Sequence, residues 1–218
     1  MAHVTIMDGG TGVLLPLLGM PKDPTLWSAR ALVDGSLNSL VVQAHEAYLK
    51  AGATAIITNT YSITPGKMRK AGLGDDDAQR LCVRAAQLAQ QATGPQQGEV
   101  KTILGSLPPL VETYRADLLP PEDDAQAWYG MMGAAMNPYV GIFLCESMSC
   151  PDEAIMALRG LMKGCPDAKA WISFTVDSKG HCRDGTTFNE AVKKMSVFGD
   201  TVTGIGVNCC VPEARVAT

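Results

Sequence analysis

The chain has 218 residues, 46% of them hydrophobic and 18% charged, enough to bury a sizeable core in a single domain over residues 1–218. Its 18 basic and 22 acidic residues leave a formal charge of -4 with no basic run, which excludes a nucleic-acid partner and favours a small-molecule substrate. Residues 1–10 have neither the basic nor the apolar region of a leader, and no stretch approaches the roughly 20 apolar residues of a membrane span, so a soluble, cytoplasmic protein without a membrane partner is expected.

In chain order, short β-rich apolar runs alternate with longer stretches of helical spacing. The first run is Val4 to Met7, followed by Asp8-Gly9-Gly10-Thr11-Gly12. Leu37 to Lys50 reads as a helix with Leu40, Val41, Ala44, Ala47 and Tyr48 at helical spacing, stopped at Ala51-Gly52. A second run, Thr54 to Thr58, precedes an alanine-rich helix over Asp77 to Ala92 that closes at Thr93-Gly94-Pro95. After the run Lys101 to Leu104, the segment Leu107 to Asp124 carries four prolines and is too long for a simple turn; in an α/β enzyme such an insert commonly covers an active site. Val140 to Leu144 is the next run, and Pro151-Asp152-Glu153 opens a helix because proline and acids suit the first turn. Ala170 to Phe174 and Thr201 to Val207 complete six strand candidates, whose starts lie 30 to 50 residues apart, the length of a parallel crossover with its helix. The class is α/β.

Six such units suit either an open doubly wound sheet or a barrel short of its last strands. The unusual residues decide for the barrel: Asp8-Gly9-Gly10, Asn59-Thr60-Tyr61, Gly105-Ser106, Glu146 and Asn208-Cys209-Cys210 each follow a predicted strand, and residues from nearly every strand converge on one point only in a barrel.

Each of these also has a plainer reading. Asp8-Gly9-Gly10 is a common turn sequence; it lacks the third glycine or the Gly-Lys-Ser/Thr of a phosphate loop, but an acid followed by two glycines can take an amino acid's ammonium on the carboxylate and its carboxylate on backbone N–H groups. Glu146 alone reads as a solvated loop acid; if it points inward, alternation sends Cys145 outward as a packed small hydrophobe. Asn208-Cys209-Cys210 is either a pair of buried cysteines or a metal-binding corner, and alternation brings only one thiol inward unless the strand bends. The seven cysteines are an odd number at scattered positions, read as reduced thiols. His45 reads as a helix-surface or packing residue, and with His3 terminal and His181 in a loop no hydrolase triad can be built. An open-sheet enzyme using Asp8-Gly9-Gly10 for phosphate lacks a nearby basic residue, the first being Lys22.

Taken together the motifs resemble the homocysteine S-methyltransferase family. The matching stretches are Met7-Asp-Gly-Gly-Thr-Gly12, Leu26-Trp-Ser-Ala29, His45 to Ala53, Ile57-Thr-Asn-Thr-Tyr61, Gly105-Ser106, Cys145-Glu146, Trp171-Ile-Ser-Phe174, Asp184-Gly-Thr186 and Gly206-Val-Asn-Cys-Cys210, in the family's order. The resemblance implies a (β/α)8 TIM-type barrel of which about six βα units lie in this chain. It implies homocysteine and a sulfonium methyl donor as partners, S-methylmethionine or S-adenosylmethionine rather than betaine, and methionine as product. Asp8 and Glu146 match the acids that hold the amino-acid end of homocysteine, with Gly9, Gly10, Thr60 and Asn208 near the substrate. Cys209 matches one of three zinc-binding cysteines; the other two belong to a Gly-Gly-Cys-Cys segment that these 218 residues do not contain, so the remaining ligands are expected beyond Thr218. A polypeptide ending there is expected to be weak in zinc binding and catalysis and, with open sheet edges, to form homo-oligomers. A truncated, non-catalytic amino-acid-binding or regulatory module is the alternative.

Overall fold

The computed structural model describes residues 4–94 and 102–211; His3, Pro95, Lys101 and Thr218 lie outside that range. The chain divides into two compact units, Met1–Ser106 with Ala135–Gly141, and Leu107–Ala134 with Ile142–Thr218.

In the first unit, helices α1 (Thr11–Leu17), α2 (Arg30–Val33) and α3 (Asn38–Lys50) precede strand β1 (Ala55–Ile57), and α4 (Pro65–Lys70) and α5 (Asp75–Thr93) lead to β2 (Thr102–Leu107). The two strands are parallel, with Ala55 opposite Thr102 and Ile57 opposite Leu104. Parallel neighbours need a crossover, and α4 and α5 supply it. Three aspartates, 75 to 77, occupy the first turn of α5, where the helix dipole favours negative charge, and Asp77 reaches back to accept the Gly74 N–H at 2.9 Å. Helix α5 buries an almost all-alanine face (Ala78, Ala85, Ala86, Ala89), so α3 can lie close against it. Ile56, Ile103 and Ala89 form the packed centre, with Leu49 and Val140 at its edge.

Val4 to Met7 is not a strand. Met7 makes a single parallel bridge to Ala55, and Ile6 accepts the Thr54 and Ala55 N–H groups through its carbonyl. Val4, Ile6 and Met7 are all exposed, so this run lacks the burial on both faces that sustains a parallel strand.

In the second unit, β3 (Ile142–Met148), α7 (Pro151–Gly164), β4 (Ala170–Phe174), α8 (Phe188–Met195) and β5 (Val202–Val207) follow in alternation, after α6 (Glu122–Met136). Strands β3, β4 and β5 pair in parallel in chain order. Pro151 stands in the first turn of α7, and Thr187 and Glu190 form a reciprocal capping box at the start of α8. The apolar face of α7, Ala154, Ala157, Leu158 and Leu161, is fully buried, as are Phe143, Leu144 and Cys145 on β3. Among the described residues no helix is long and apolar enough to cross a membrane.

Candidate functional site

In the first unit, Asp8 is tied to β1 twice. Its N–H donates to the Ala55 carbonyl at 2.9 Å and its Oδ2 accepts the Ile57 N–H at 3.0 Å. The side chain is completely buried, yet Oδ1 has no hydrogen-bond partner. A buried carboxylate oxygen left unpaired costs about 1–3 kcal/mol or more, so Oδ1 is open to a further hydrogen-bond donor. His45 of α3 lies behind it, equally buried, with Nδ1 3.8 Å from Oδ2 and neither ring nitrogen hydrogen-bonded. It is thus a core residue facing Asp8, which its helical spacing alone left undistinguished.

The glycines after Asp8 serve close approach. A Cβ on Gly9 would sit 2.9 Å from the Tyr48 ring, and one on Gly12 would sit 2.5 Å from Trp27. Burial, reinforced by the negative charge of Asp8, raises the Tyr48 phenol above its ordinary range. Trp27 stands edge-on to Tyr61 with ring centroids 6.0 Å apart, and Lys67 lies 5.9 Å above Trp27; burial pulls the Lys67 amine down. Thr60 is buried and donates to the Ser106 carbonyl at 2.8 Å, while Thr58 Oγ1, 3.0 Å from it, accepts the Ser106 N–H. These hydroxyls join the ends of β1 and β2; Thr60, singled out in the sequence, is therefore part of the frame around the strand that holds Asp8.

In the second unit the sequence placed Glu146 after a strand, but β3 continues through it to Met148. Cys145 pairs with Ile172 and Met148 with Phe174, so β3 carries one extra residue. The bulge is made by Ser147 at φ 58°. A bulge re-aims side chains, and here it breaks the alternation: after the half-buried Glu146, Ser147 and Met148 are both buried. Asn208, just past β5, locks the bulge. Its Oδ1 accepts the Ser147 N–H at 3.0 Å and the Ser173 hydroxyl at 2.9 Å, and its Nδ2 donates to Ser147 Oγ at 3.0 Å. Cys209, at φ 50°, then bends the chain so that its Sγ lies 3.5 Å from Ser147 Oγ. That bend removes the alternation constraint, and both Cys209 and Cys210 line one cleft.

Tyr114, from the proline-rich insert, lines the same cleft and is also left-handed, at φ 69°. Partial burial, then the neighbouring Cys209, raises its phenol. Three of the four left-handed non-glycine residues among the described residues, Tyr114, Ser147 and Cys209, thus meet in one cluster. Each such conformation costs on the order of 1 kcal/mol or more and persists where the surroundings impose it, commonly at functional sites. Nothing in the identities of these three residues announces the conformation. Ser147 and Tyr114 were for that reason missed.

The donor chemistry at this corner suits a thiophilic metal in kind but falls short in number. Among the described residues no three His, Cys, Asp or Glu side chains group as a metal site. Five other thiols are buried: burial pushes Cys82, Cys145 and Cys182 up to about 12 and Cys150 to about 11, and raises Cys165. Only Cys209 and Cys210 are accessible.

Beyond the bulge, Glu153 in the first turn of α7 accepts the Ser149 N–H at 2.7 Å; burial pushes it up to about 7 against the pull of that amide. A carboxyl raised on folding contributes stability below its unfolded pKa and loses it as pH climbs through the folded value. Unfolding in urea should therefore show the second unit losing stability between pH 5 and 8, on the order of 3 kcal/mol at most. Glu153→Gln, which keeps an acceptor for Ser149, should flatten that dependence; a wild-type curve already flat over the range removes Glu153 as its cause.

The sequence profile of the family described as homocysteine S-methyltransferase matches residues 5–217. Homocysteine S-methyltransferase of Escherichia coli is 28% identical over 98% of this chain and 72% of its own length, and homocysteine S-methyltransferase YbgG of Bacillus subtilis is 26% identical over 94% and 68%. In structure, the metallated form of the homocysteine methyltransferase MmuM from Escherichia coli superposes with a TM-score of 0.85 at 26% identity, over 97% of this chain and 76% of that one. With its parallel α/β framework, its Asp8-Gly9-Gly10 turn and its Asn208-Cys209 corner, the chain belongs to the homocysteine S-methyltransferase family.

Proposed function

We propose that this chain, with its five parallel strands, forms part of a (β/α)8 barrel that transfers a methyl group from a sulfonium amino acid, S-methylmethionine or S-adenosylmethionine, to homocysteine, giving methionine. The observation that carries the reading is Asp8, fully buried, with one oxygen held by β1 and the other without a partner. Homocysteine's ammonium supplies the missing donor. Gly9 and Gly10 are exposed beside Asp8, where their backbone N–H groups can serve the substrate carboxylate, and Thr60 holds the adjoining strand ends together; in the second unit Glu146 is the proposed substrate acid, and Asn208 holds the bulge next to it.

The proton leaves the homocysteine thiol before transfer, and the thiolate attacks the sulfonium methyl carbon in line. The new S–CH3 bond forms as the old one breaks, and its electron pair goes to the departing sulfur. A cation and an anion become two neutral thioethers, so a site that excludes bulk water and holds both in contact favours the step. Cys209 is the proposed zinc ligand in these residues, and zinc, when bound, lowers the pKa of a coordinated thiol so that the thiolate is present at neutral pH.

Calorimetry tests the reading. Asp8→Ala and Asp8→Asn should each weaken homocysteine binding by about 2 kcal/mol, near thirtyfold, as for a lost charge-assisted hydrogen bond. In a full-length form, methionine formation should run faster with S-methylmethionine than with betaine. Unchanged homocysteine affinity in both variants, or turnover with betaine alone, overturns the assignment.

A further inference from the structure

The cleft beside Cys209 has a volume of about 740 Å³, and its wall carries charges that the chemistry above leaves unused. Arg183 is the main one. Its Nε donates to Thr175 Oγ1 at 3.2 Å and one terminal nitrogen to the Val176 carbonyl at 3.4 Å, while its guanidinium lies 5.0 Å from the centre of the Tyr114 ring. Two bonds to neutral oxygens and an aromatic face fix the plane of the group. Of its five N–H donors, those two bonds engage only part, and Arg183 makes no ion pair among the described residues. A guanidinium so oriented presents a fork that matches a carboxylate.

A second charge stands on the same wall. Asp177 uses Oδ1 to accept the Lys179 and His181 N–H groups, and these bonds, the His181 one foremost, hold its carboxyl below the usual range. It therefore stays ionised, with Oδ2 3.8 Å from His181 Nδ1. Arginine fork and carboxylate in one cleft make a complementary pair for an α-carboxylate and an α-ammonium. Tyr114 sets the spacing, since its ring lies against the Arg183 guanidinium and it lines the cleft between Arg183 and Cys209. One phenol ring thus separates the guanidinium from the thiol corner. The same order of distance separates the head group of a methionine-type donor from its sulfonium, with three carbons between sulfur and carboxyl, whereas in betaine a single carbon separates the cation from the carboxylate and its quaternary nitrogen carries no N–H to donate.

We propose that the Tyr114–Arg183–Asp177 wall is the subsite for the amino-acid head of the methyl donor, with Arg183 taking its carboxylate and Asp177 its ammonium, and that it sets the preference for amino-acid sulfonium donors. The proposal rests on the function proposed above. Homocysteine carries the same head group, so the experiment separates donor from acceptor. Calorimetry on the full-length protein compares S-methylmethionine, its decarboxylated analogue (3-aminopropyl)dimethylsulfonium, and homocysteine. In Arg183→Gln, S-methylmethionine affinity should fall at least tenfold, with the analogue and homocysteine unchanged. Arg183→Lys, which keeps the charge without the fork, should lose less, and Asp177→Asn should weaken S-methylmethionine and the analogue alike. If Arg183→Gln does not fold, Arg183→Lys and Asp177→Asn carry the same test. Unchanged S-methylmethionine affinity, equal loss for the analogue in the arginine variants, or loss confined to homocysteine overturns the subsite while leaving the function standing. A wild-type protein that binds neither homocysteine nor S-methylmethionine overturns both.

Discussion

Replacing Gly164 with alanine should destabilise the second unit by about 3 kcal/mol, a shift in Tm of roughly 6–12 °C for a chain of this size. Helices α6 and α7 touch there backbone to backbone. A Cβ on Gly164 would lie 2.2 Å from the Gly130 carbonyl oxygen, 2.9 Å from its carbon and 3.0 Å from its Cα, so no side-chain rotation can relieve it. Gly160 stands one turn earlier in the same contact, where a Cβ would meet the Gln126 carbonyl oxygen at 2.6 Å. Only a separation of the two helices makes room, and that exposes the buried faces of both. Alanine's better helix propensity, about 1 kcal/mol, offsets little of this at the last residue of a helix. Gly66 of α4 is the control: nothing lies within 4 Å of its Cβ position, and Gly66→Ala should leave stability unchanged or slightly raised. Urea unfolding of the two variants reads the difference directly, and a Gly164→Ala protein as stable as wild type would show that the helices are not held at this separation.

The glycines at that crossing carry no signal in the sequence, because Gly130, Gly133, Gly160 and Gly164 read as weak helix residues until the partner helix is known. Other features were legible for definite physical reasons. Ala170–Phe174 is a strand with the expected bounds because it is a compact apolar run between clear breaks, and α7 begins at Pro151 because proline suits only the first turn. Thr201 to Val207 and Leu37 to Lys50 each differ by one residue at the start, within ordinary fraying. Val140 to Leu144 was placed two residues early and four short, since the bulge at Ser147 lets β3 continue past Glu146 in a pattern that no longer alternates. Val4 to Met7 has the composition of a strand and only one bridge, because pairing depends on a partner and on burial that a local run does not encode.

The site was legible by residue type more than by conformation. Asp8, Glu146, Asn208 and Cys209 were named from their positions after apolar runs; in the second unit Glu146, Asn208 and Cys209 lie at or beside a bulge or a strand end, whereas Asp8 follows the isolated Met7 bridge to β1. Their partners escaped notice. His45 reads from the sequence as a helix-surface or packing residue, Ser147 as an ordinary serine, and Tyr114 and Arg183 lie 69 residues apart in segments without regular structure. What joins them is backbone bending at φ values that sequence does not mark for non-glycine residues.

The same bending bears on the thiols. In a native polypeptide of these 218 residues, two cysteines should react quickly with a disulfide reagent such as DTNB and five only after unfolding. Thiol exchange proceeds through an exposed thiolate, and five of the seven groups are buried with the thiolate disfavoured, four of them pushed up to about 11 or 12. Cys209 and Cys210 are the exceptions, exposed and half-exposed at the cleft. Cys209→Ser should remove one fast equivalent and leave the slow five untouched. Zinc binding follows from the same inventory. Catalytic zinc sites usually take three protein ligands, and two adjacent thiols on one bend, with no third group among the described residues, supply too few bonds for tight binding. These 218 residues alone should accordingly hold well under one zinc per chain after dialysis and form methionine no faster than background. In a longer form that binds zinc, Cys209→Ser should lower both metal content and methyl transfer, the latter by at least about 100-fold if the thiolate of homocysteine depends on that ion. One tightly held zinc on the 218-residue polypeptide, or a third fast thiol, would mean that one of the five buried cysteines opens to complete the site, and the burial of Cys150 or Cys182 near the cleft-forming loop would then have to be transient.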